Sequence, residues 1–311
     1  MDKVLVIVGP TAVGKTALSI ELAQRFDGEI ISGDSLQIYQ GLDIGTAKVT
    51  EAEMAGISHY LIDEISMAEN YSVADFQRKA RQKISEITKR GKLPIVVGGT
   101  GLYIQALLYD FQLGAPTTAA EVASQRIREK YEALAEKIGN QRLWETLAAV
   151  DHEAAAKIHF NNRRKVIRAL EVFELTGKSI FAQEKPKALY DYLMIGLDTQ
   201  RKKLYERINL RVDLMLEQGL LKEAELLSQH PEYQSAQGIG YKEFFAYLKG
   251  EENLADAVAA VKQNSRRYAK RQLTWFRNRS QAQWFDLLED SAALEKIIEL
   301  TTKWLTEGGQ G

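Results

Sequence analysis

Residues 9–16 read Gly-Pro-Thr-Ala-Val-Gly-Lys-Thr, which fits G-x-x-x-x-G-K-[ST]. The flanks suit it. An apolar, β-branched run, Val4 to Val8, precedes the loop, and Ala17, Leu18, Ile20, Leu22 and Ala23 follow it at helical spacing. A buried strand that turns through glycines into a helix aims backbone N–H groups, the positive end of the helix dipole and a mobile lysine at one point. Such a point holds phosphate. Gly9, Thr11, Ala12, Val13, Gly14, Lys15 and Thr16 are therefore the expected phosphate cradle, with the Thr16 hydroxyl available to Mg²⁺. The motif leaves open which phosphate compound binds.

Further along the chain, Glu29 to Ser32 and Pro94 to Val97 read as strands. Ser72 to Arg90 is expected to be an amphipathic helix with Ser72 as N-cap and Gly91 as stop, and another helix starts near Gly101. Strands alternating with helices predict an α/β fold, a parallel sheet flanked by helices around the phosphate loop. Residues 119–182 are rich in Ala, Glu, Lys, Arg and Leu and read as helical. A strand returns at Tyr192 to Gly196, and long helices are expected over Thr199 to Ser228 and Leu254 to Arg277. The expected organisation is a catalytic core of residues 1–114 plus 190–311, interrupted by an all-helical insertion at 115–189.

In open α/β sheets ligands lie beyond the carboxyl ends of the strands. Two more loops should reach that edge: Gly33-Asp34-Ser35-Leu36-Gln37 and Gly98-Gly99-Thr100-Gly101. Asp34 is open to reading as an Asx-turn residue and Thr100 as a helix N-cap. A small-molecule kinase is the default for this nucleotide-type loop, and it requires a second carboxylate at a strand end. The strand Ile95-Val-Val97 runs into Gly98, but Asp63 after Tyr60-Leu-Ile62 is available. The kinase reading leaves the helical insertion and the basic carboxyl-terminal helix unexplained.

Composition removes other classes. The chain has no cysteine, so disulfides, Cys-ligated zinc and thiol nucleophiles are excluded. Its four histidines, His59, His152, His159 and His230, lack metal-motif spacing. No signal-type leader is visible and no run approaches the roughly 20 apolar residues of a membrane span, so a cytoplasmic protein without membrane contact is expected. With a net charge of −1, affinity for nucleic acid would have to come from local basic patches.

Six blocks occur in order: Asp34-Ser-Leu-Gln-Ile-Tyr39, Asp43-Ile-Gly-Thr-Ala-Lys48, Gly98-Gly-Thr-Gly-Leu-Tyr103, Arg168-Ala-Leu-Glu-Val172, Gly238-Ile-Gly-Tyr-Lys-Glu243 and Lys270-Arg-Gln-Leu-Thr-Trp275. Together they resemble the tRNA dimethylallyltransferases, also called tRNA isopentenyltransferases, over nearly the whole chain and in the short bacterial form. One departure is Lys165, beside Arg163 and Arg164, where bacterial members often carry Arg; charge is kept while a planar bidentate contact would be lost.

The resemblance implies transfer of a dimethylallyl group from dimethylallyl diphosphate to N6 of the adenosine 3′ of the anticodon, with Mg²⁺ as cofactor and the tRNA anticodon stem-loop as partner. It implies a diphosphate site made by the loop residues and Arg211, and catalytic roles for Asp34 as base and for Lys15, Thr16, Thr100 and Arg211. Enzymes that prenylate free adenine nucleotides are the nearest alternative, and a non-catalytic RNA-binding module a remote one. The expected RNA contacts are Asp34, Ser35, Leu36, Gln37 and Thr100 near the acceptor. Arg126, Arg163, Arg164, Lys165 and Arg168 are expected in the insertion, whose basic stretch also holds Lys157 and His159. Gly240, Tyr241, Lys242, Arg267 and Arg271 complete the set. The stretch Arg266 to Arg279 holds six basic residues, no acid, and Tyr268, Trp275 and Phe276; aromatics at that spacing suit either RNA stacking or a core. A monomer is expected.

Overall fold

A computed structural model describes residues 1–109, 119–182 and 187–307. In chain order the elements are β1 (Lys3–Val8), α1 (Lys15–Arg25), β2 (Gly28–Ser32), α2 (Glu51–Met54), β3 (His59–Tyr60), α3 (Val73–Lys89), β4 (Leu93–Gly98) and α4 (Gly101–Leu108). Then come α5 (Ala119–Val150), α6 (His152–Lys157), α7 (Arg163–Thr176), β5 (Asp191–Leu197), α8 (Arg201–Gln218), α9 (Leu220–Ser228), α10 (Phe245–Leu248), α11 (Leu254–Arg279), β6 (Gln283–Phe285) and α12 (Ala293–Glu307).

The six strands form one sheet in the order β3-β2-β4-β1-β5-β6, and every pairing is parallel. Alternation along β1 explains its apolar run. Val4, Val6 and Val8 enter one core with residues of α3, α4, α9 and α11, while Leu5 and Ile7 enter the other with α1, α8 and α12. A strand covered on both faces has no polar side to show.

The chain divides into two compact units, Met1–Phe111 with Ala188–Gly311, and Gln112–Lys187. The expected boundary at 114/115 lies outside the described residues. At the other end the Leu189 N–H donates to the Leu108 carbonyl at 2.9 Å, so residue 189 belongs to the sheet unit rather than to the insertion. In the second unit α5 is interrupted at Gly139, and its two segments pack with α6 and α7 around Leu143, Leu147, Val166, Ile167 and Leu170.

Two expectations are corrected. The single helix over Thr199 to Ser228 is two, because Gly219 adopts φ 108 and starts α9 in a new direction. Beyond Arg279, β6 extends the sheet beside β5 and α12 closes one face, neither anticipated from the sequence.

Candidate active site

The carboxyl ends of β1, β2 and β4 open onto a cavity of about 1550 Å³, lined by Thr11–Thr16, Asp34–Gln37, Asp43–Thr50, Gly98, Gly99, Arg207, Arg211, Gly238–Gly240, Lys242, Tyr268, Arg271 and Gln272. All of it belongs to the sheet unit. Ala12 at φ 66 and Gly14 at φ 105, the N-cap of α1, give the loop its alternating turns. Gly9 is a correction: it does not reach the cavity. A Cβ there would stand 2.5 Å from the Leu197 carbonyl, so its glycine serves the close approach of β1 to β5.

Cations gather at the loop. Lys15 Nζ donates to the Pro10 carbonyl at 2.6 Å. Arg207 Nε donates to the Ala12 carbonyl at 2.8 Å, and Arg211 donates to the Thr11 hydroxyl at 3.2 Å. Burial, reinforced by the neighbouring Arg211, brings the Lys15 ammonium down to about 7, with Asp34 opposing the shift. Burial likewise lowers Arg211, again against the pull of Asp34. The carboxylate at 34 therefore acts on both cations, and it lines the same cavity.

Asp34 also fulfils its local alternative: Oδ1 accepts the Leu36 N–H at 2.9 Å, an Asx turn that fixes the side chain after β2. The two readings are compatible, since one oxygen shapes the turn and the carboxylate still faces the cavity. Gln37 is tied internally. Ser32 Oγ donates to its Oε1 at 2.8 Å and its Nε2 donates to the Thr46 carbonyl at 3.2 Å. These bonds fix its amide in place, and the residue lines the cavity.

Thr100 is the N-cap of α4 but makes no capping hydrogen bond. Its hydroxyl is buried and it does not line the cavity, contrary to a direct substrate contact. Burial and the nearby Asp34 push the Tyr268 phenol up to about 12, so it remains a neutral donor at physiological pH. Arg271 stacks over the Tyr268 ring at 5.6 Å.

Other expected contacts separate. Gly240 and Lys242 line the cavity, while Tyr241 is fully buried and donates its hydroxyl to Glu223 at 3.0 Å. Buried phenols take a partner, and this one is spent inside the protein, so a direct RNA contact by Tyr241 is corrected. Arg267 is exposed on α11 but does not line the cavity, whereas Arg271, one turn on, does. Phe276 is core, and Trp275 packs against Gly101.

In the second unit Arg126, Arg164 and Lys165 are exposed and have no ion-pair partner among the described residues. Arg163 is bound to Glu132 at 2.6 Å and Glu136 at 2.8 Å. Arg168 is bound at 2.5 Å to Glu171, a fully buried carboxylate that also holds Arg128 at 2.8 Å. These pairs make Arg163 and Arg168 less available to phosphate than their neighbours.

The kinase reading loses its acid. The Asp63 carboxylate is paired with Lys48, which also holds Asp43 at 2.7 Å, and Asp63 does not line the cavity. Nor do the described residues contain any group of three acidic or histidine side chains fit to hold a metal.

The IPP transferase family model matches residues 37–279. The chain belongs to the IPP transferase family. It is 62% identical over 308 residues to the tRNA dimethylallyltransferase of Enterococcus faecalis, covering 99% of each chain. It is 53% identical over 310 residues to that of Latilactobacillus sakei, covering 98% of each. Among solved structures, the full-length tRNA isopentenylpyrophosphate transferase of Bacillus halodurans is 47% identical and superposes with a TM-score of 0.75, covering 99% of this chain and 98% of that one. A eukaryotic dimethylallyltransferase acting on tRNA is 32% identical with a TM-score of 0.82, covering 99% of this chain and 80% of its own. Three residues that hold the cavity walls in place escaped sequence reasoning: Gln272, Glu223 and Lys48. Gln272 and Lys48 lie inside the quoted blocks, but only their partners across the fold disclose what they do.

Proposed function

We propose that this chain transfers the dimethylallyl group of dimethylallyl diphosphate to N6 of the adenosine immediately 3′ of the anticodon in tRNA. The observation that carries the reading is a single cavity lined at once by the cationic phosphate loop and by Asp34. Relatives of this length and identity named tRNA dimethylallyltransferase support it, and a tRNA-acting enzyme suits the expected cytoplasmic setting.

The adenine amine is a weak nucleophile because its lone pair is delocalised into the ring. The electrophile must therefore be activated. As the C1–O bond breaks and the N6–C1 bond forms, negative charge grows on the departing diphosphate. Loop N–H groups, Lys15, Arg207 and Arg211 stand where they stabilise it. Asp34 orients the amine and takes the N6 proton as the new bond makes nitrogen cationic; an ordinary carboxylate is too weak a base to act earlier. The Tyr268 phenol lines the same space and, being neutral, donates a hydrogen bond into it.

A divalent ion fits this donor set as it fits other phosphate loops: Thr16 is exposed in the cavity and its hydroxyl would be the protein ligand, the rest coming from substrate and water. Mg²⁺ held there would neutralise diphosphate charge.

Incubation with labelled dimethylallyl diphosphate, Mg²⁺ and either unmodified tRNA or AMP tests the proposal. Label in tRNA alone is the expected result. Label in AMP alone, or ATP turnover without prenyl transfer, would overturn it.

A further inference from the structure

Glu223, on α9, is buried and accepts four hydrogen bonds. Its Oε1 takes the N–H groups of Asp43 at 2.9 Å and Ile44 at 2.7 Å. Its Oε2 takes the N–H of Gly45 and the hydroxyl of Tyr241, each at 3.0 Å. No basic side chain among the described residues forms an ion pair with it. Its charge is met by three consecutive backbone N–H dipoles and one phenol, an arrangement in which the anion dictates the path of the loop. The fit is close: a Cβ on residue 45 would stand 2.5 Å from the Tyr241 hydroxyl.

The carboxylate thereby joins two segments far apart in sequence, 43–48 and 238–242, and both line the cavity. The first is also held at its far end. Lys48, with its side chain 4% exposed, donates to the Tyr39 carbonyl at 2.6 Å and to Asp43, and Gln37 donates to the Thr46 carbonyl. Neither segment contains a cation of the phosphate loop or touches Arg207 or Arg211 through a hydrogen bond. Diphosphate binding and the shape of this wall therefore rest on different residues.

We propose that Glu223 is a positioning residue for the RNA substrate: it sets the wall made by residues 43–48 and 238–242 so that the cavity accepts the extruded adenosine and its neighbours. The inference rests on the reading of this cavity as the tRNA acceptor site. Substituting an amide puts an N–H₂ group among donors that need an acceptor, while keeping the side chain's shape.

The test is the steady-state kinetics of Glu223→Gln with each substrate varied, alongside dimethylallyl diphosphate binding and thermal unfolding. The expected result is a KM for tRNA raised on the order of tenfold, the loss of a charged hydrogen bond, with kcat and dimethylallyl diphosphate affinity kept. Glu223→Asp, which keeps the anion, should recover part of the tRNA KM. An unchanged tRNA KM, or equal losses for both substrates, would overturn the proposal. If Glu223→Gln does not fold, Tyr241→Phe carries the test. It removes one donor and leaves the packing, so it should raise the tRNA KM alone; an unchanged value overturns the role. A wild-type enzyme that labels no tRNA overturns both this role and the reading beneath it, whereas an active wild type with an indifferent Glu223→Gln overturns the role only.

Discussion

The Gln272 side-chain amide occupies the space that a methyl group on residue 99 would fill. From there its Oε1 accepts the Thr11 N–H at 3.1 Å and its Nε2 donates to the Gly99 carbonyl at 3.1 Å. One side chain on α11 thus locks the phosphate loop to the loop after β4. Gly99→Ala must displace this amide, and overpacking of this kind costs about 1–3 kcal/mol. Activity should fall by about tenfold or more, and adding Gln272→Ala should restore part of it by making room. Prenyl-transfer assays on the two single variants and the double variant decide the point; strictly multiplicative losses would show that the two residues do not share the space.

The Lys15 ammonium, lowered to about 7 by burial beside Arg211, loses its proton in the free enzyme within the physiological range. Diphosphate binds the protonated form and raises that pKa. Affinity for dimethylallyl diphosphate should therefore weaken above about pH 7, by up to about tenfold per pH unit, with proton uptake on binding. Calorimetry across pH in buffers of different ionisation enthalpy measures both. A flat affinity with no proton uptake up to pH 9 would contradict the assignment.

Asp34→Asn keeps an oxygen for the Leu36 N–H and so keeps the turn. What it removes is the proton acceptor. Single-turnover prenyl transfer should slow by on the order of 10²- to 10⁴-fold, while tRNA affinity measured by filter binding changes little. Comparable losses in both would mean that residue 34 holds the substrate rather than accepting its proton.

Arg211 reaches the Thr11 hydroxyl from α8 with a planar fork, which lysine cannot reproduce. Arg211→Lys should raise the KM for dimethylallyl diphosphate by about tenfold and leave tRNA affinity in place. A defect confined to tRNA would move Arg211 out of the diphosphate site.

Arg164 has no ion-pair partner among the described residues, while Arg163 is paired with Glu132 and Glu136. As an RNA-phosphate contact, Arg164 should carry salt dependence: Arg164→Ala should lower the salt slope of tRNA binding by about 0.7–0.9. Arg163→Ala should lower it by less. Equal slopes for Arg164→Ala and wild type would remove Arg164 from the interface.

Features closed within a few contiguous residues were legible in the sequence. The apolar run of β1, the glycine loop and α1 were legible as strand, turn and helix of a parallel sheet, because the loop's spacing and its flanking strand and helix are local properties of the chain. The Asx turn at Asp34 and the cap of α3 are likewise local, each closed within three residues. Tertiary structure decided the rest. Arg207 and Arg211 reach the cavity whereas Arg267 does not, because the register of α8 and α11 over the sheet edge selects which side of each helix faces the ligand. Tyr241, inside a block that reads as a binding motif, is buried because an acid on α9 needs its hydroxyl. Glu223 meets Asp43 across 180 residues and Gln272 meets Gly99 across 173; such pairs leave no periodicity in the chain, since their geometry exists only once the helices have packed.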